Sequence, residues 1–210
     1  MKAGLLEPYE RALRAARPLG LIDMRGRVQS LDVPRWLGPL DAADHSVLDR
    51  CHGPVLDLGC GPGRFVRALA GRGVAVLGID LAHTAVGLTA RRGGAALQRD
   101  MFAPLPGEGR WPTVLLIDGN VGIGGDLGRL LTRVTRLLAP GGQLLVEVEP
   151  QDRDESLTVR FHHRGTPVGG SFRWARVGLP ALRARSTALG LRVADSWQAG
   201  GRVFAQLQPR

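Results

Sequence analysis

In the stretch "VLDLGCGPGR", residues 55–64, Gly59, Gly61 and Gly63 occupy alternate positions directly after a short apolar run. Glycine costs backbone entropy in helix and strand interiors alike, so this spacing belongs to a turn. The turn leaves a strand and enters a helix that begins near Pro62–Arg64. Such a helix start exposes unpaired N–H groups and the positive end of its dipole, where an anion is stabilised, and glycine lets a ligand approach the main chain. A tight strand–helix turn without a ligand is the plainer alternative; three alternating glycines behind Asp57 argue against it. The pattern departs from the dinucleotide fingerprint GxGxxG, because Arg64 stands where that motif has its last glycine.

Other site chemistries find little support. The histidines His45, His52, His83, His162 and His163 form no HExxH pattern, and no paired CxxC exists, so no metal is expected. Cys51 and Cys60 are the only cysteines, and they would pair only in an oxidising compartment. His162 and His163 are neighbours on an expected strand, so their side chains point to opposite faces and cannot both serve one site. His83, close after Asp80, is a candidate for lining a cleft.

The elements that must position the glycine turn follow from hydrophobic pattern. From residue 54 onward "PVLDL", "VAVLGID", "AALQRD", "TVLLID" and "GQLLVEVE" are short, unbroken apolar runs, which suit strands covered on both faces. Helical stretches separate them. The clearest runs from Asp126, a suitable N-cap, to Ala139, with Leu127, Leu130, Leu131, Val134, Leu137 and Leu138 on one stripe and Pro140-Gly141-Gly142 as its stop. This alternation predicts an open α/β sheet with right-handed crossovers. "SLTVRFHHRG" and "GGSFRWARVG" flank Thr166-Pro167 and Gly169-Gly170, the pattern of an inserted hairpin or lid over about 155–178. After a helix near Leu179–Leu189, "LRVADSWQ" and "RVFAQLQ" are joined through Gly200-Gly201, a connection short enough to make them antiparallel. Residues 1–50 read as a separate helical cap: Leu5, Leu6, Tyr9, Ala12, Leu13 and Ala16 recur near helical spacing, and Asp41 caps a helix carrying Val47 and Leu48.

The chain has 210 residues, 44% apolar and 22% charged, which suits a globular protein and excludes wholesale disorder. No apolar run reaches the roughly 18 residues of a membrane span, and no signal-peptide pattern is present, so a cytoplasmic protein is expected. The net charge of +9 raises a nucleic-acid partner. Lys2 is the only lysine, however, and the arginines are spread along the chain without a basic block, so that partner is not favoured.

Taken in order, these motifs resemble the class I S-adenosylmethionine-dependent methyltransferases. "LDLGCGPG" is similar to their first motif, "VLGIDLA" to the second, "QRDMF" to the third and "VLLIDGNVG" to the fourth; "LLAPGGQLLVEV" is similar to the junction into their fifth strand. The resemblance spans roughly residues 50–150. It implies an open, mostly parallel seven-stranded sheet flanked by helices with an antiparallel C-terminal hairpin, formed by residues 51–210. It also implies S-adenosylmethionine as cofactor. Gly59, Gly61 and Gly63 would let the backbone approach its methionine part, with Cys60 inside the same loop as a small packing residue and Asp57 near the ammonium group. Asp80 would accept from both ribose hydroxyls, Leu81 would pack on the adenine, Asp100 would accept from the adenine amino group and Met101 would add apolar contact. Asp118 and Asn120, in the fourth-motif loop, would stand near the reacting atom as catalytic candidates, with Asp118 also at the cofactor.

The acceptor is less legible. Amino-directed members usually carry Asn/Asp-Pro-Pro-aromatic at the fourth motif, where this chain has "DGNV", and neither cysteine is placed as a cytosine-directed nucleophile. Tyr9, Arg35, Trp36 and His45 lie in the region such enzymes fold over the acceptor. Trp36 serves there as a lid-to-core anchor or as an acceptor-stacking residue, and Trp174 has the same two readings. A small-molecule acceptor is the expectation. An RNA methyltransferase and a non-catalytic protein that binds the cofactor are the alternatives, and the oligomeric state is not legible.

Overall fold

The computed structural model describes residues 4–210, so the first three positions of the expected cap lie outside the described residues. Two sheets organise the chain. The larger has seven strands: β3 (Val55–Leu58), β4 (Val76–Asp80), β5 (Ala96–Gln98), β6 (Trp111–Leu116), β7 (Leu138–Val148), β10 (Leu191–Ala199) and β11 (Arg202–Pro209), in the order β10-β11-β7-β6-β3-β4-β5. Its β7-β6-β3-β4-β5 part is parallel, and β11 pairs antiparallel with both β7 and β10. The expected sheet and terminal hairpin are therefore present.

Alternation along the strands builds two cores. Leu56, Leu58, Val114, Leu116, Leu144 and Val146 face α6 (Leu127–Leu137) and α7 (Leu179–Thr187). Val55, Leu115, Ile117, Leu145 and Phe204 face α3 (Ala42–Leu48) and α4 (Arg64–Gly71). Each strand has an apolar residue on both faces, which explains the unbroken apolar runs. Asp126 caps α6 by accepting from the Arg129 N–H, as expected. The chain enters β7 directly at Leu138, so Pro140-Gly141-Gly142 lies within that strand's span rather than in a loop before it.

The smaller sheet joins β1 (Leu19–Asp23) and β2 (Val28–Leu31) to β8 (Asp154–His163) and β9 (Thr166–Val177), in the order β2-β1-β8-β9, all antiparallel. The hairpin expected near 155–178 is thus half of a sheet. Its other half corrects the reading of residues 1–50 as a helical cap: α1 (Glu7–Ala15), α2 (Val33–Leu37) and α3 are there, but a β-hairpin sits between α1 and α2. That hairpin exists because β1 finds a partner far along the chain, Leu21 opposite Phe161, and a local helical pattern carries no trace of it. Leu13, Leu21, Val33, Val159 and Phe161 pack this layer against Ala82 and Ala85, at the start of α5 (His83–Arg91).

Strand order reverses between β3 and β6: β4 and β5 lie to one side, β7 and beyond to the other. A crevice opens at such a switch point, beyond the carboxyl ends of the strands. The glycine turn leaves β3 and the Asp118–Asn120 turn leaves β6, so both border it.

Candidate functional site

A cavity of about 380 Å³ occupies this crevice. The glycine turn, Asp57, Asp80, Leu81, Asp100, Met101, Asp118 and Asn120 line one side, and Leu21, Trp36, Phe161, Phe172 and Trp174 line the side formed by α2 and the smaller sheet. Of the expected site residues, Gly63 alone is not in the lining. Its positive φ of 78° makes it the N-cap of α4, and a Cβ there would lie 2.5 Å from Thr89 Oγ1. Gly63 shapes the turn without touching the cavity.

The turn's hydrogen bonds engage its own amides, so the unpaired N–H groups of the expected anion site are those at the start of α4. The N–H groups of Gly59 and Cys60 donate to the Ile79 carbonyl at 2.7 and 3.0 Å, and the Gly61 N–H donates to Asp80 Oδ2 at 2.9 Å. Asn120 Nδ2 donates to the carbonyls of Leu58 and Gly59, 2.9 Å each. The turn's amides are spent within the protein, so the main chain offers the cavity carbonyl oxygen rather than N–H. A Cβ on Gly59 would meet Asn120 at 2.6 Å, so that glycine admits a side chain of the same protein. Only Tyr9 Oη approaches Gly61, 3.3 Å from the place of its missing Cβ.

The carboxylates around this turn are unequal. Asp57 is 3% exposed, and no hydrogen bond from a described residue reaches its side chain. Burial pushes it up to about 8, with Asp118 and Asp80 adding like-charge repulsion. Asp80 is half-buried; its oxygens accept from the Gly61 and Ala82 amides at 2.9 and 2.8 Å, and burial still raises it to about 6. Each Asp80 oxygen keeps an acceptor site after these single bonds. Asp100 caps its own turn by accepting from the Phe102 N–H at 3.0 Å, and Met101 is 6% exposed, its carbonyl held by Arg133.

An unpartnered, buried carboxylate beside carbonyl oxygens calls for a cation, and two free acceptor positions at the end of the neighbouring strand call for hydroxyl donors. An α-amino acid joined to a nucleoside presents both, and the residues present fit S-adenosylmethionine on that ground.

Asp118 and Asn120 are placed differently from the expectation that they meet the reacting atom. Asp118 Oδ1 accepts from Arg35 and from Arg202 (3.1 Å), and Oδ2 accepts from Arg64 at 2.7 Å. Its N–H donates to Glu147 at 2.6 Å, and its φ of 60° is unusual for a residue with a side chain. Arg64 and Arg202 also bind Asp44, which is fully buried. This cluster was not foreseen. Its traces in the sequence are Arg64 in the place of a glycine and the Asp41/Asp44 capping box of α3.

The aromatic wall was foreseen only at Tyr9, Trp36 and Trp174. Tyr9 and Trp36 pack edge to face with centroids 6.2 Å apart, and burial raises the Tyr9 hydroxyl well above its ordinary value, with Asp80 adding to the effect. The indole N–H of Trp36 is buried and has no hydrogen-bond partner among the described residues. Phe161, Phe172, Phe102, Arg129 and Arg173 also line the cavity. Strand and helix patterns cannot single them out, because their faces are chosen by long-range pairing. No histidine lines the cavity among the described residues: His83 contacts Gln98, His45 contacts Arg72, and His163 is exposed. Cys60 is buried against Gly78 as a packing residue, and its thiol is pushed well above its ordinary value. The described residues hold no group of three metal-ligating side chains, and none of their helices is long and apolar enough to cross a membrane.

Comparison with known proteins agrees with this geometry. Residues 55–142 match a family described as a methyltransferase domain. Over 157 residues, 73% of the chain, the sequence is 32% identical to trans-aconitate 2-methyltransferase of Paracidovorax citrulli, and the match covers 55% of that protein. The chain therefore spans about half the length of this curated relative. An S-adenosylmethionine-dependent methyltransferase of Bacteroides fragilis, solved with S-adenosyl-L-homocysteine, superposes with a TM-score of 0.80 over 99% of this chain and 95% of that one, at 20% identity. The 1,6-didemethyltoxoflavin-N1-methyltransferase of Burkholderia thailandensis gives 0.58 over 79% and 74%, at 22% identity. At these identities the structural likeness is one of fold.

Proposed function

We propose that the chain is a class I S-adenosylmethionine-dependent methyltransferase and that it transfers a methyl group to a small-molecule acceptor. One observation carries the reading: the buried Asp57 carboxylate faces the cavity with no hydrogen-bond partner among the described residues, beside carbonyl oxygens of the glycine turn. Asp57 would there hold the α-ammonium group of the cofactor, whose positive charge its carboxylate lacks. When bound, the cofactor provides a methyl group activated on a sulfonium sulfur.

The chain's own residues then divide the work. Asp57 and the Gly59 carbonyl hold the ammonium end, and the Tyr9 hydroxyl stands over Gly61 to meet the carboxylate end. Asp80 takes the ribose hydroxyls on the acceptor positions left by the Gly61 and Ala82 amides. Leu81 and Met101 border the adenine, with Asp100 at its amino group. Asp118 and Asn120 act as positioning residues: Asn120 fixes the glycine turn, and Asp118 anchors its own turn to three arginines. The smaller sheet covers the acceptor side, so that alignment and exclusion of water supply most of the rate gain.

A small acceptor is supported by the apolar side chains, Leu21, Trp36, Phe161, Phe172 and Trp174, that line the cavity. The relatives whose names state an acceptor, trans-aconitate and 1,6-didemethyltoxoflavin, point the same way. Calorimetry with S-adenosylhomocysteine tests the cofactor assignment. Asp80→Ala is expected to weaken binding about ten- to a hundredfold, the worth of charge-assisted hydrogen bonds. Unchanged affinity in that variant removes Asp80 from the sugar; no heat with the unaltered protein overturns the function.

A further inference from the structure

Resting on the methyltransferase reading, we propose that the acceptor is an uncharged amphiphile whose apolar end lies against the aromatic wall and whose hydroxyl-bearing end lies in a second cavity. That cavity measures about 290 Å³. Leu31, Trp36, Asp118 and Trp174 border both cavities, so the two adjoin. The second lies beyond the ends of β6 and β7, at Gly119 and at Glu147, Glu149 and Pro150, and it is closed by β2 and the last residues of β9. Asp57, Gly59, Asp80, Leu81, Asp100 and Met101, the residues given to the cofactor, line the first cavity and not the second.

Strand alternation makes the two cavities one trough with a chemical gradient, because every second side chain shares a face. Along β9, Phe172 lines the first cavity, Trp174 both and Arg176 the second. Along β2, Leu31 borders both, and Gln29, on the same face, borders the second alone. From Phe172 to Arg176 the lining therefore passes from aromatic to polar over about 13 Å, at roughly 3.3 Å per residue. A ligand that follows it has an apolar end beside the cofactor and a polar end away from it.

The polar end is uncharged because the charges around it already neutralise one another. Glu149 accepts from Arg176 Nε and Nη2 at 2.7 and 2.6 Å, and Glu147 accepts from Arg202 at 2.8 and 2.7 Å. Asp118 accepts from Arg64 at 2.7 Å, and Asp32 lies 3.7 Å from Arg35. Glu149 and Arg176 are only 15% and 19% exposed, so a charged group that drew one away would strand the other in a poorly solvated place. Hydrogen-bonding capacity nonetheless remains. Among the described residues nothing accepts from Arg176 Nη1 and nothing donates to Gln29 Oε1, and Gln29 Nε2 reaches Glu149 only at 3.5 Å. Glu149 Oε2, with one bond, keeps an acceptor position. A spare donor among spare acceptors matches hydroxyl groups, each of which donates and accepts; an apolar tail would leave these atoms unpaired.

The test titrates the full-length protein, saturated with S-adenosylhomocysteine, with ligands that share one ring system: 2-naphthol, 2-naphthyl β-D-glucoside, 2-naphthyl phosphate and 2-naphthylmethylamine. Calorimetry should show the glucoside bound at least about tenfold more tightly than 2-naphthol, the worth of about two neutral hydrogen bonds. The phosphate and the amine should bind no more tightly than 2-naphthol. Gln29→Leu removes the amide and Gln29→Trp fills the second cavity. Each should bring the glucoside to within about threefold of 2-naphthol, with 2-naphthol itself unchanged and S-adenosylhomocysteine binding as the check that the variant is folded. Incubated with methyl-labelled S-adenosylmethionine, trans-aconitate, a tricarboxylate, should take no label. A glucoside no tighter than 2-naphthol, a charged ligand as tight as the glucoside, a gain that survives both variants, or labelled trans-aconitate overturns the inference. If S-adenosylhomocysteine binds and any of these is seen, the methyltransferase reading stands without it; if S-adenosylhomocysteine gives no heat, both fail.

Discussion

At the scale of single residues, the role proposed for Asp57 would couple cofactor binding to protons. A carboxyl group raised to about 8 is mostly protonated at pH 7, and an ammonium ligand needs it ionised. S-Adenosylhomocysteine binding should therefore release up to one proton per site near pH 7, and affinity should rise with pH until about pH 8. Calorimetry in buffers of different ionisation heat reads that number directly; Asp57→Asn should abolish the release. The sign for stability is opposite. The unfolded chain loses the Asp57 proton near the ordinary value of 3.8 while the folded protein keeps it to about 8, so the ligand-free protein loses stability as pH rises through that window. Asp57→Asn should consequently resist denaturant better than the unaltered protein above pH 8. Asp57 and Asp80 stood out in the sequence beside the glycine turn and at the end of β4, and the family resemblance implied their roles. The role of the glycines was legible only as conformation. What fills the space beside Gly59 and Gly63 comes from Asn120 and Thr89, distant in sequence.

At the scale of elements, the Asp118 cluster ties the turn after β6 to five other elements. Arg35 lies on α2, Arg64 opens α4, Arg202 opens β11, Asp44 lies on α3 and Glu147 on β7. Arg64 is 3% exposed, and burial lowers its pKa from the ordinary value against the opposing pull of Asp118; Asp44 is its second carboxylate partner. Asp118→Asn keeps the shape and tolerates the left-handed backbone, but it leaves these guanidinium groups short of one charge. Breaking a buried ion pair by removing one partner costs about 3–5 kcal/mol, and urea unfolding should register a loss of that order. An unchanged midpoint together with lost turnover would instead give Asp118 a part in the chemistry. The helices and strands were readable from apolar periodicity, including the Asp126 cap of α6. The hairpin of β1 and β2 was not, since its strands are short and β8, the second partner of β1, lies more than a hundred residues on.

At the scale of the whole molecule, the site lies between two layers, and ligand binding should join them. A ligand present at a hundred times its Kd stabilises the folded state by about 2.7 kcal/mol, so S-adenosylhomocysteine should raise the melting temperature of the protein. Amide exchange should slow in α1 as well as in the glycine turn, because Tyr9 stands over Gly61. Protection confined to residues 55–64, with α1 unchanged, would remove Tyr9 from the cofactor. The net charge of +9 does not mark a basic face by itself, because arginines such as Arg27, Arg72, Arg133, Arg176 and Arg185 are paired with acids. Retention of RNA at low salt is accordingly not expected, and a filter-binding assay over a salt series checks it.

What the sequence determined by itself is the layered α/β sheet, its antiparallel end and the turn that faces the ligand. Those features follow from local rules: two-residue and helical periodicity, glycine at positive φ and carboxylates at strand ends. Only the tertiary structure decided which backbone amides remain free, which carboxylate is left without a partner and which side chains cover the acceptor. Each of those depends on groups tens to more than a hundred residues apart in the chain, as with Asn120 on Gly59 or β8 beside β1. Hydrogen bonds and burial are satisfied across space, so a one-dimensional pattern can name the donors and acceptors without saying which of them meet.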